Sequence, residues 1–123
     1  MRTFVIGDIH GGLLALKQVI EKANVTQKDT LLFLGDYVDG WSQSPEVIDL
    51  LIHLKNTQNC ICIRGNHDQL ALDWLENKFE NIDEEMWFKH GGKATVDAYS
   101  KISVEKKERH IAFLKSLKDY HQI

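Results

Sequence analysis

Cysteine occurs only twice in this chain and proline only once, which excludes a disulfide-stapled scaffold and a proline-rich linker protein. The two cysteines, Cys60 and Cys62, stand two apart in the apolar run Cys60-Ile61-Cys62-Ile63, so in an extended segment they face the same side. They are expected to be buried, unreactive thiols rather than a metal pair or a bridge. Long apolar runs are also lacking. No stretch approaches a membrane span, and the apolar stretch near the N-terminus is too short for the core of a secretory leader. The cytoplasm is therefore the expected compartment, with no membrane partner. There is no excess of positive charge either: 15 Lys and Arg stand against 18 Asp and Glu, a net charge of −3. That balance makes no electrostatic case for nucleic acid, and an anionic ligand would have to be met by local cations.

What remains is the composition of one globular domain spanning residues 1–123, with 43% apolar residues and enough length to bury a core. Three near-continuous apolar runs, Phe4-Val5-Ile6, Leu31-Leu32-Phe33-Leu34 and Cys60-Ile61-Cys62-Ile63, read as parallel strands buried on both faces. Between them, Leu13, Leu14, Leu16, Val19, Ile20 and Ala23 repeat at helical spacing, as do Val47, Ile48, Leu50, Leu51 and Leu54. Ser44 is the expected N-cap of the second helix, with Pro45 at its first position. The order β-α-β-α-β predicts an α/β fold with a parallel sheet. A third helix is expected from about His67 to Leu75, then a loop or frayed helix end over Asn77–Glu85 and an aromatic patch at Met86-Trp87-Phe88. After a break at Gly91-Gly92, helices are expected at about 93–100 and 104–118.

Each apolar run ends in a short polar motif: Gly7-Asp8-Ile9-His10-Gly11, Gly35-Asp36-Tyr37-Val38-Asp39-Gly40 and Gly65-Asn66-His67-Asp68. In open α/β sheets ligands bind beyond the carboxyl ends of the strands, where all three motifs fall. Gly7, Gly35 and Gly65 each precede a donor and would let the backbone turn sharply beside a bound ion. Asp, His and Asn donors grouped in this way suit divalent cations, and a pair of such ions can clamp a phosphate and acidify water. Tyr37 and Trp41 flank the second motif, where they either line a groove or pack beneath the loop. His53 is expected at a helix surface or boundary and His90 in a turn, while His110 on a charged helix and His121 in the tail are expected to be solvated.

At these motifs the chain resembles the calcineurin-like metallophosphoesterases, closest to their phosphoprotein phosphatase branch. That branch carries GDxHG, GDxVDRG and GNHE, and this chain reads GDIHG, GDYVDG and GNHD in the same order. The resemblance implies a layered sandwich of two β-sheets flanked by helices. It implies that Asp8 and His10 bind a first metal, that Asp36 bridges two metals, and that Asn66 binds the second. His67 would protonate the leaving oxygen, oriented by Asp39, and Arg64 would hold phosphate oxygens. The implied cofactors are two divalent ions, with Mn²⁺ first and Fe or Zn as alternatives. The implied reaction is in-line attack of metal-activated hydroxide on a phosphomonoester, with phosphorylated Ser or Thr on a protein as substrate. A symmetrical dinucleoside tetraphosphatase is the alternative.

Three positions depart from the pattern. Gly40 stands in place of the branch's Arg, removing one phosphate clamp. Asp68 replaces Glu, keeping the charge on a shorter arm. Two later metal-binding histidines of the family have no counterpart, so the chain is expected to be the N-terminal part of a catalytic domain. On that expectation one ion is held moderately and a second weakly, and exposed apolar surface invites homo-oligomerisation. A non-catalytic fragment is the remaining possibility.

Overall fold

A computed structural model describes residues 1–79 and 81–122. Three four-residue strands, β1 (Thr3–Ile6), β2 (Thr30–Phe33) and β3 (Asn59–Cys62), form one parallel sheet in the order β1-β2-β3. Thr3 pairs with Thr30 and Thr30 with Asn59, and at the other end Ile6 pairs with Phe33 and Phe33 with Cys62. This level register matters for function, because the loops that follow the three strands leave the sheet side by side. At the opposite edge, Asp29 accepts from the backbone and guanidinium of Arg2 and from the Thr26 N–H, tying the starts of β1 and β2 together. The Arg2 guanidinium beside it holds the Asp29 carboxyl well below the usual carboxylate range.

The helices are α1 (Leu13–Lys22), α2 (Ser44–Thr57), α3 (Asn66–Leu75), α4 (Asn81–Trp87), α5 (Lys93–Tyr99) and α6 (Val104–Ser116), and all but α4 fall where the sequence predicts them. Val47, Ile48 and Leu51 of α2 are fully buried with Leu31 and Phe33 of β2, and Phe113 and Leu114 of α6 close the same core. The structure differs from expectation in several places. Ser44 does not cap α2. Its buried hydroxyl instead accepts the Asp39 N–H at 3.2 Å, with no side-chain cap at the helix start. Residues from Asn81 onward are helix rather than loop, while Glu80, within the same expected loop, lies outside the described residues. Gly91-Gly92 does not separate two helices cleanly. It forms a wide turn over Phe88–Gly92, where His90 and Gly91 leave helical geometry and the Gly91 carbonyl accepts the Gly40 N–H at 3.1 Å.

Burial on both faces holds only for β2. In β1, Thr3 and Val5 are exposed while Phe4 and Ile6 are half-buried. Of the expected two-sheet sandwich, one sheet with its helices is present among the described residues. Beyond α6, Lys118 bridges to Ile63 in parallel, so the residues after α6 join the free edge of β3. Cys60 and Cys62 share a face as expected, with free sulfurs 3.8 Å apart. No described helix is long and apolar enough to cross a membrane.

Candidate metal centre

The loop after β1 is zipped onto the loop after β2. The N–H groups of Ile9 and His10 donate to the Asp36 carbonyl, and that of Gly11 donates to Tyr37. The loop after β3 closes on the same place, because the N–H of His67 donates to Asp36 Oδ1 at 3.0 Å. Gly35 and Gly65 allow this approach. Gly35 has φ 109°, and a Cβ on either glycine would collide with the backbone or carboxylate of the other loop. Gly7 has nothing nearby, so of the three glycines only two carry the expected role. Non-glycine residues bear the remaining strain: His10, Asp36 and Asp39 all have positive φ, a conformation that persists at a site only when its surroundings enforce it.

Asp8, His10 and Asp36 are brought together, with one donor atom from each lying within 4.8 Å of the others. His10 Nδ1 lies 2.9 Å from the Val38 carbonyl and donates to it, which leaves Nε2 as the free donor atom 3.5 Å from Asp8. Backbone anchoring of the second nitrogen is how metal-binding imidazoles are oriented. Burial alone would lower the His10 pKa, but the Val38 carbonyl and the Asp36 and Asp8 carboxylates outweigh it and raise it. Two carboxylates and an oriented imidazole fit a divalent cation by their chemistry. Asn66 opens α3 beside His67 and is exposed.

The His67 ring meets the His10 ring edge to face, with centroids 5.0 Å apart. Its Nδ1 lies 2.7 Å from Asp39 Oδ2. Asp39 is buried, and its carboxylate also accepts from the Trp87 indole and the Thr95 hydroxyl. Sequence reasoning did not find these two partners. They lie 48 and 56 residues from Asp39, and only the chemistry of the indole and hydroxyl hinted at a role. Asp68, expected only to keep the family's charge on a shorter arm, has a structural role of its own. The Asp68 carboxylate accepts the N–H groups of Asp36, Tyr37 and Gly65 at 2.7–2.9 Å, so it clamps the second loop to the third. Burial, working against those donors, pushes its pKa up to about 6.

Arg64 is not brought to the cluster. Its guanidinium is turned to the C-terminal carbonyls of α6, at Leu114, Lys115 and Leu117, and to Asp119. Tyr37 and Trp41 divide between the two roles left open for them. Tyr37 is fully buried and donates to the Ile63 carbonyl at 2.7 Å, whereas Trp41 is 70% exposed.

A three-stranded parallel sheet with a carboxylate–imidazole cluster at its strand ends defines an α/β protein with a candidate divalent-metal site. The comparisons give the class a family: the calcineurin-like phosphoesterase model matches residues 1–121, and the chain belongs to that family. Among solved structures it is similar to a protein serine/threonine phosphatase from Saccharomyces cerevisiae with similarity to human phosphatase PP5, at 29% identity and TM-score 0.64, covering 94% of this chain and 32% of that one. It is also similar to a metallophosphoesterase from Sphaerobacter thermophilus, at 23% identity and TM-score 0.67, covering 100% and 43%. A candidate diadenosine tetraphosphatase gives 23% identity and TM-score 0.65, covering 94% and 42%. The chain thus spans less than half the length of each of these structures.

Proposed function

We propose that this chain supplies the metal-binding and acid–base half of an enzyme that hydrolyses phosphate esters by in-line displacement at phosphorus. The observation that carries this is the juxtaposition of Asp8, His10 and Asp36, within 4.8 Å, with the His67–Asp39 pair at 2.7 Å. Asp8, His10 and Asp36 hold a first divalent ion, Mn²⁺ before Fe or Zn, and Asp36 with Asn66 contributes to a second. When bound, such ions polarise phosphoryl oxygens and lower the pKa of water. His67, fixed through Nδ1 by Asp39, presents Nε2 and holds there the proton that the leaving oxygen needs. Asp39, fed by the Trp87 and Thr95 donors, keeps that ring in one tautomer and orientation.

Two substrate classes remain. The 29% identity to a serine/threonine phosphatase favours a phosphorylated Ser or Thr on a protein. Gly40 in place of an arginine, and Arg64 committed to α6, favour a substrate held by something other than guanidinium clamps; a dinucleoside tetraphosphate, cleaved at an anhydride, is that alternative. Asp36→Asn removes a charge from the shared ligand and is expected to abolish Mn²⁺-dependent hydrolysis of p-nitrophenyl phosphate. Phosphopeptide set against diadenosine tetraphosphate then separates the classes. Turnover that Asp36→Asn leaves intact would place the chemistry elsewhere.

A further inference from the structure

A groove of about 580 Å³ runs from Asp8 along the first turns of α1, with Trp41, Leu14, Gln18 and Gln43 on its walls. Two of these residues are unusual for a surface: Trp41 is 70% exposed and Leu14 66% exposed. Trp41 is not a loose surface residue. Its N–H donates to the His10 carbonyl at 2.9 Å, so the backbone beneath the indole is bonded to that of a candidate metal ligand. Trp41 also takes the place of the last glycine of the signature GDxVDRG, directly after Gly40. Where the branch has a charged phosphate clamp followed by a small residue, this chain has no side chain followed by a large flat one.

The groove's chemistry narrows the occupant. Asp8 is the one charged residue among those lining it, and no Lys or Arg is there to attract acidic flanking residues of a phosphopeptide. A neutral planar ring gains most from an exposed indole, and the Gln18 and Gln43 amides offer donors and acceptors to a ring edge that carries both. Asp8 lines both the groove and the metal cluster, so the two adjoin and one molecule can carry a ring into the groove and a phosphate to the cluster. We infer that the Trp41 groove is the base-binding subsite for a nucleoside phosphate, the base stacking on the Trp41 indole. This rests on the phosphoesterase reading of the cluster and selects the nucleotide from the two substrate classes.

The test needs no metal and no turnover. In a nitrogen-15 spectrum of the metal-free chain, adenosine, which carries the base without a charge for Asp8 and Asp36 to repel, is expected to shift the Trp41 indole N–H, assigned by its loss in Trp41→Phe, and to leave buried Trp87 in place. Ribose, which keeps the sugar alone, is expected to shift neither. Trp41→Ala should weaken adenosine binding about tenfold, in the range of one base–aromatic stack, while Trp41→Phe keeps most of it. An equal response to both ligands, or a Trp41 signal unmoved at millimolar adenosine, overturns the subsite. A separate titration with Mn²⁺ follows paramagnetic broadening of the His10 ring signals and its loss in Asp8→Asn. Broadening without a base-dependent shift refutes the subsite alone, and a base-dependent shift without broadening refutes the metal centre alone.

Discussion

Single residues in this chain act through contacts that composition does not reveal. Gly92 lies against the face of the Trp87 indole so closely that a Cβ there would overlap ring carbons. The indole cannot easily retreat, since it is fully buried among Trp74, Phe79 and Phe88 and bonded to Asp39. Gly92→Ala is therefore expected to cost about 1–3 kcal/mol, the usual price of overpacking a tight core, read as a fall in urea midpoint with unchanged slope. Trp87→Phe tests the polar half of the contact. It keeps an aromatic ring but leaves a buried carboxylate short of one donor, a loss of about 1–3 kcal/mol. Neutral behaviour of both variants would mean that the indole does not brace Asp39.

At the scale of elements, the sequence was most legible where periodicity and burial agree. The strands, α1, α2 and α6 follow directly from their apolar spacing, and the three strand-end motifs place Asp8, His10 and Asp36 together because a parallel sheet in register leaves no other arrangement for them. What stayed hidden was pairing between distant polar groups. His110 was expected to be solvated on a charged helix; it is fully buried, with Nδ1 2.7 Å from the Tyr99 hydroxyl and Nε2 2.7 Å from Asp49, so it pins α6 to α5 and α2. Arg64 shows the same limit, since nothing local signals that the end of α6 will take its guanidinium. The His110 network has a pH consequence. Burial lowers the His110 pKa below its ordinary 6.5, against the raising effect of Asp49. The unfolded chain therefore binds a proton more readily than the folded one, and the network's contribution, complete above 6.5, is lost as pH falls from there through the folded value. Comparison with His110→Gln isolates the effect: the stability advantage of the wild type in urea titrations should shrink from pH 7.5 towards pH 5, within the roughly 1–3 kcal/mol of a buried hydrogen-bonded group. A difference that stays constant or widens would rule out a neutral His110 in the fold.

Across the whole molecule the two faces of the sheet are covered unevenly. Along the strands, Phe4, Ile6, Leu31, Phe33, Cys60 and Cys62 point into the helix-covered core. The alternate residues, Val5, Leu32 and Ile61 with Leu34 just beyond β2, lie outside that cluster on the other face, where Leu32 is buried but Val5 is 56% and Leu34 46% exposed. The alternation follows from the pleat, yet the composition is that of strands meant to be covered on both sides, which is why the sequence predicted double burial. Exposed apolar residues such as Val5 and Leu34 favour association unless something lies over them. The 123-residue chain is therefore expected to self-associate, with a sedimentation coefficient that rises with concentration. Leu34→Lys and Val5→Lys should each suppress this. Both positions are exposed enough that folding stability should change by no more than about 0.5 kcal/mol. The pair also separates two routes to association. Pairing through the free edge of β1 would respond to Val5→Lys, since a lysine blunts an edge strand, but not to Leu34→Lys, which lies off that edge. If Leu34→Lys dissolves the assembly, the face itself is the sticky surface. A sedimentation coefficient that stays monomeric at every concentration would mean that this face is satisfied within the chain.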